Sequence, residues 1–242
     1  MNNVFDFDPQ KICPHPNQME ISGKSVSDKE ICEILDSYIT QVRKDKFTEI
    51  LENRTYSITS VLENFYDMGN INAIVRSSEA FGIMSMHLIR ADRTKSANRI
   101  TSGAHKWCDF FDWDSTPECI SSLKKAGYKV ATTSLASDAV EITELDFTQK
   151  WAFVFGNEHI GVSEEAAKLA DVNVLIPSVG FTQSFNVSVA AAICLQQAYS
   201  KRKNTFGKMG DLTLEEKEAI RAFYYIKSIK YGDALVKKLF QN

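Results

Sequence analysis

Three short segments of this chain set polar side chains beside glycines where apolar runs end. The first, residues 70–82, carries Asn70 and places Arg76 two and five positions after Ile74 and Ile71. An arginine on such a packing face is expected to be semi-buried. It is then either held in a structural salt bridge or meets an anion, because stranding its charge is costly. The second, residues 155–163, turns through Gly156, Asn157 and Glu158 before Gly161 and a helix start. Glycine there lets a ligand approach the backbone, and Glu158 either serves that ligand, caps a helix or pairs with a basic residue. His159 reads as an exposed loop residue. In the third, residues 176–190, Pro177 fixes φ and Gly180 permits a positive φ. Ser184, Asn186 and Ser188 follow where a helix leaves its first N–H groups unpaired. At the carboxyl edge of a sheet such a loop either binds a ligand or simply connects a strand to a helix.

Strands must end at these segments and helices must begin after them. The apolar patterning predicts strands over 57–64, 83–89, 128–132, 151–155 and 172–176. It predicts helices over 70–81, 115–126 and 184–203, with a short one capped by Ser163. Strands alternating with helices imply an α/β fold, a mostly parallel sheet flanked by helices. Capping boxes at Ser27–Glu30 and Thr213–Glu216 open further helices over 28–45 and 213–230. Shorter helices are expected over 46–53 and 233–240. Residues 1–26, with Pro9, Pro14, Pro16 and Gly23, read as a polar arm.

At 242 residues, with 44% hydrophobic and 24% charged residues, the chain can bury a full core. Its five cysteines lack Cys-x-x-Cys spacing and read as free thiols of a reducing cytoplasm. No apolar run approaches the ~18 residues of a membrane span, and the acidic start argues against export. Net charge is −3, yet basic residues cluster. One cluster holds Arg90, Arg93, Lys95, Arg99 and Lys106, a second Lys201, Arg202, Lys203 and Lys208, a third Arg43, Lys44 and Lys46. Such patches suit either phosphate contact or plain solvated faces. A Gly-x-Gly-x-x-Gly fingerprint, a Walker loop, a Gly-x-Ser-x-Gly elbow and a His-Glu-x-x-His helix are all absent from the sequence.

In order and spacing, the three segments resemble the motifs of the SpoU (TrmH) family of RNA ribose 2′-O-methyltransferases, within the SPOUT superfamily. Residues 70–76 resemble its Asn-x-x-Ala-Ile-x-Arg motif and residues 156–163 its Gly-x-Glu-x-x-Gly-x-Ser motif. Residues 176–190 resemble Ile-Pro…Gly…Gln-Ser-x-Asn-Val-Ser-Val-Ala. The likeness spans roughly residues 30–240, and residues 101–107 resemble a loop of the tRNA guanosine-2′-O-methyltransferase branch.

The resemblance implies a C-terminal trefoil knot, a SPOUT domain over 56–204, an arm with helices over 1–55 and a helical extension over 205–242. It implies S-adenosylmethionine bound bent in the knot, with Thr132 or Thr133, Gly156, Asn157, Ile176, Pro177, Phe185 and Asn186 at its pocket. Arg76 matches the family arginine thought to accept or relay the 2′-hydroxyl proton, and Asn70, Glu158, Ser184 and Asn186 would shape the site. RNA would meet Arg43, Arg90, Arg93, Arg99, Lys106, Lys201, Arg202 and Lys203. The family also implies a homodimer and a reaction that requires no metal. It usually has leucine where Phe185 stands and methionine where Ser178 stands. A D-loop guanosine of tRNA is the preferred target. The alternatives are an rRNA 2′-O-methyltransferase and a non-catalytic RNA-binding dimer; residues 1–55 look too short and helical for the separate N-terminal domain many rRNA enzymes carry.

Overall fold

The computed structural model describes residues 3–21, 23–90, 103–133, 139–157 and 159–241. Glu158, Arg93, Lys95 and Arg99 lie outside the described residues.

The arm is ordered. Phe5 N donates to Phe110 O at 2.9 Å and Phe110 N to Asn3 O at 2.8 Å. Strands β1 (Gln18–Ile21) and β2 (Lys24–Ser27) pair antiparallel, turning at Gly23 with φ +80°. The Ser27–Glu30 box caps α1 (Asp28–Leu35) as expected. The helix predicted over 28–45, however, breaks. A 3-10 turn at Asp36–Tyr38 and extended Ile39 separate α1 from α2 (Gln41–Leu51). Tyr38 and Val42 are exposed, so their apolar spacing with Ile31 and Leu35 does not mark one packed stripe.

Seven strands follow: β3 (Thr55–Glu63), β4 (Ile83–Ile89), β5 (Asp109–Trp113), β6 (Lys129–Thr133), β7 (Val140–Glu141), β8 (Trp151–Phe155) and β9 (Val172–Leu175). They form one sheet in the order β5-β4-β3-β8-β6-β9-β7, and every pairing is parallel. β4 and β8 are buried throughout, as a sheet covered on both faces requires. The sequence carries no clear sign of β5, because Asp109 and Asp112 interrupt its apolar run. Asp109 is nonetheless buried, satisfied by His15 Nε2 at 3.0 Å and by Tyr56 OH, which donates at 2.6 Å.

Helices α3 (Met68–Ala80) and α6 (Val187–Phe206) cover one sheet face; α4 (Thr116–Lys125) and α5 (Glu164–Leu169) cover the other. β8 shows why both faces are dry: Trp151, Phe153 and Phe155 join the first core, Ala152 and Val154 the second. A third core joins α1 and α2 to α7 (Leu214–Ser228) and α8 (Gly232–Leu239) through Ile31, Phe47, Phe223 and Val236. Burial pushes the Cys13 thiol up to about 11 and those of Cys32, Cys108 and Cys194 up to about 12. All five cysteines are unpaired. These four therefore stay protonated thiols at neutral pH, poor nucleophiles.

Among the described residues, no helix is long and apolar enough to cross a membrane.

Candidate active site

The exits of β6, β8 and β9 meet around a cleft of about 600 Å³, at the carboxyl edge where open α/β sheets bind ligands. Thr133, Gly156, Asn157, Ile176, Ser184, Phe185 and Asn186 line it, with Val174, Val187 and Ala190 giving apolar wall. Thr132 and Pro177 do not. Thr132 is buried and donates through Oγ1 to Asn173 Oδ1 at 2.6 Å, tying β6 to β9. Pro177 is exposed and stands outside the lining. Ser178, Gln183 and exposed His159 also face the cleft. Ser178 and Gln183 belong to the third segment, and only their position in that loop could have marked them.

Gly156 is required by the chain itself. A Cβ there would stand 2.0 Å from Val162 N and 2.1 Å from Gly161 C. The segment returns tightly because Gly161 N donates to Asn157 O at 2.9 Å and Asn157 Oδ1 accepts from His159 N at 2.7 Å. Gly156→Ala should therefore destabilise the protein by about 1–3 kcal/mol and weaken ligand binding in the cleft. Thermal unfolding and calorimetric titration of the variant check both.

The first and third segments are bonded to each other. Asn186 caps α6, its Oδ1 accepting from Ser188 N at 2.9 Å and Ser188 Oγ at 2.6 Å. Its Nδ2 donates to Oδ1 of buried Asn70, at 3.2 Å, in the first turn of α3. Helix α6 thus starts three residues later than predicted, because residues up to the Asn186 cap stay non-helical. Phe185 is 41% exposed and Ser184 is exposed.

Arg76 differs from its semi-buried expectation. The buried stripe of α3 is Ile71, Ile74, Val75 and Ser78, and Arg76 falls off it into solvent. Among the described residues no hydrogen bond or ion pair holds its guanidinium, which therefore remains available to an anion.

The basic residues separate into kinds. Arg43, Lys106, Lys201 and Lys203 are exposed. Arg43 lies over the Phe47 ring at 5.6 Å, and Arg90 is ion-paired to Asp112 at 3.2 Å. Arg202 is not a surface residue. Ala191, Leu195 and Ala198 trace the buried stripe of α6, and the next turn puts Arg202 on it, 3% exposed. Its Nη2 meets Asp211 Oδ2 at 2.6 Å, Nη1 donates to Phe147 O at 3.0 Å and Nε to Met209 O at 3.3 Å.

A model of the SpoU rRNA methylase family matches residues 57–196. The chain belongs to the SpoU methylase family. It is 37% identical over 164 residues to the tRNA (guanosine(18)-2′-O)-methyltransferase of Thermus thermophilus, covering 67% of this chain and 84% of that one. The solved structure of the Aquifex aeolicus TrmH/SpoU tRNA modifying enzyme aligns over 81% of this chain and 99% of its own, with a TM-score of 0.70 at 29% identity. The Streptomyces viridochromogenes SpoU methyltransferase AviRb, solved with the cofactor AdoMet, shares the fold at TM-score 0.55 and 24% identity, over 64% of each chain.

Proposed function

We propose that this SpoU methylase transfers the methyl group of S-adenosylmethionine to a ribose 2′-hydroxyl of tRNA, at a D-loop guanosine. The Asn186–Asn70 bond carries the reading, because it brings the anchor of the cofactor-side segment to the helix that presents Arg76. The cleft fits the cofactor's chemistry: its volume of about 600 Å³ suits a nucleoside-sized ligand, with apolar Val174, Val187 and Ala190 beside polar Asn157, Ser184 and Asn186. Bound there, S-adenosylmethionine supplies an electrophilic methyl group and the protein supplies the rest. Arg76 keeps its proton. Its guanidinium orients the ribose and stabilises negative charge as it develops on the 2′-oxygen. Ser184 and Asn186 shape the pocket mouth, and Glu158 belongs to the same site in this reading.

The reading includes a C-terminal trefoil knot, a SPOUT domain over 56–204 and helical extensions over 1–55 and 205–242. The third core, shared by both chain ends, supports treating those extensions as one layer. It also includes a homodimer: Ile160, Val179, Phe181, Phe185 and Val189 are exposed apolar residues of the motif loops and early α6, a surface a second copy would cover. The cytoplasm, where its RNA resides, is the compartment this reading gives the protein.

Labelled cofactor incubated with unmodified tRNA and rRNA, followed by mapping of the methylated ribose, tests the assignment. Label on a D-loop guanosine is expected. Label on rRNA alone shifts the substrate, and no label with bound cofactor points to a non-catalytic RNA-binding dimer. Exchanging Lys201 and Lys203 for alanine should weaken tRNA binding and reduce the slope of log affinity against log salt by about one unit for each phosphate left without its lysine. An unchanged slope across a salt titration removes that surface from the RNA path.

A further inference from the structure

The carboxyl end of β3 holds an unused pair of groups. Glu63 is 2% exposed, and a carboxylate so placed needs donors. It has three: Thr116 Oγ1 at 2.6 Å, Ser163 Oγ at 2.7 Å and Ser163 N at 2.9 Å. The next residue, Asn64, is left-handed at φ +53°, a conformation that costs a non-glycine residue energy and recurs at functional sites. Its N donates to Ile89 O at 3.0 Å, and its carbonyl oxygen accepts from Asn157 Nδ2 at 2.9 Å.

Two consecutive residues thus grip both ends of one segment. Asn64 holds Asn157 where the segment leaves β8, and Glu63 holds Ser163 where it enters α5. Between those ends, His159, Ile160, Gly161 and Val162 line the cleft. Buried Glu63 and left-handed Asn64 are costly choices for a strand end, and each is offset by a bond to this segment.

We infer that Glu63 and Asn64 form a clamp that sets the 157–163 segment for S-adenosylmethionine binding. They are positioning residues and touch no reacting atom. The inference rests on the reading of the cleft as the cofactor site. Thr116 supplies an internal control, because it bonds the same carboxylate from α4, away from the clamped segment.

Calorimetric titration with S-adenosylmethionine, amide hydrogen exchange over 159–163 and thermal unfolding test the clamp. Glu63→Ala and Ser163→Ala should each raise the cofactor Kd about tenfold or more and speed exchange in 159–163, as loss of a bond to a charged group implies. Glu63→Gln should recover most of the affinity, since its amide still accepts from Ser163 N. Thr116→Val should lower Tm while leaving Kd within about twofold. Affinity that falls equally in Ser163→Ala and Thr116→Val overturns the clamp in favour of a general packing role. Affinity unchanged in Glu63→Ala and Ser163→Ala, but lost when Ala190→Trp fills the cleft, overturns the clamp and keeps the cleft. Affinity unchanged in Ala190→Trp overturns the cleft and the clamp with it.

Discussion

Arg76→Ala is expected to lower the rate of methyl transfer about 10²–10⁴-fold while leaving cofactor affinity close to wild type. The exposed guanidinium contributes nothing to the α3 stripe of Ile71, Ile74, Val75 and Ser78, so truncation leaves that packing intact. It also lies outside the cleft lining, which separates its loss from cofactor binding. A ribose hydroxyl is a weak nucleophile, and a fixed positive charge acts where negative charge grows on its oxygen. Arg76→Lys keeps a charge but loses the planar fork, so it should recover only part of the rate. Single-turnover transfer to tRNA beside a cofactor titration measures both effects. Turnover like wild type in Arg76→Ala would sink the assigned role.

Arg202→Ala should instead act on stability. Breaking a buried pair costs about 3–5 kcal/mol. The lower end applies here, because Asp211 keeps Thr55 Oγ1 at 2.6 Å and Ser57 Oγ at 2.5 Å as donors and is about a third exposed. What is stranded are the Phe147 and Met209 carbonyls. At roughly 2–4 °C per kcal/mol for a chain of this size, Tm should fall by about 6–12 °C. At temperatures where the variant stays folded, tRNA affinity and its salt slope should match wild type, in contrast to the Lys201 and Lys203 exchange. A reduced salt slope in folded Arg202→Ala would return this residue to the RNA surface.

These two arginines show what a linear reading can see. Arg76 sits among apolar residues and Arg202 in a basic run, and each immediate context points to the wrong side of its helix. Arg76 reads as half inside and stands outside; Arg202 reads with its lysine neighbours and stands inside. Residue type reports the need for a partner, but the helix phase decides which side meets solvent. Local signals carry further. The capping boxes at Ser27 and Thr213, the Ser163 cap and the uniformly apolar β8 appear where their chemistry requires. The site segments are legible because each is contiguous and lies beside a strand end. The clamp is not, since Glu63 and Ser163 stand 100 positions apart and neither is unusual alone. β5 is hidden for a related reason: Asp109 reads as surface until His15 and Tyr56 are seen to satisfy it.

The core shared by α1, α2, α7 and α8 also constrains how the chain acquires its structure. Ile31 and Leu35 of α1 share that core with Phe223 and Ile226 of α7, near the opposite end of the sequence. During synthesis the earlier helices therefore emerge with their apolar sides bare and wait until α7 and α8 have left the ribosome. Closing so long a loop is entropically slow to reward. The layer of α1, α2, α7 and α8 can therefore close only after α7 and α8 have been made.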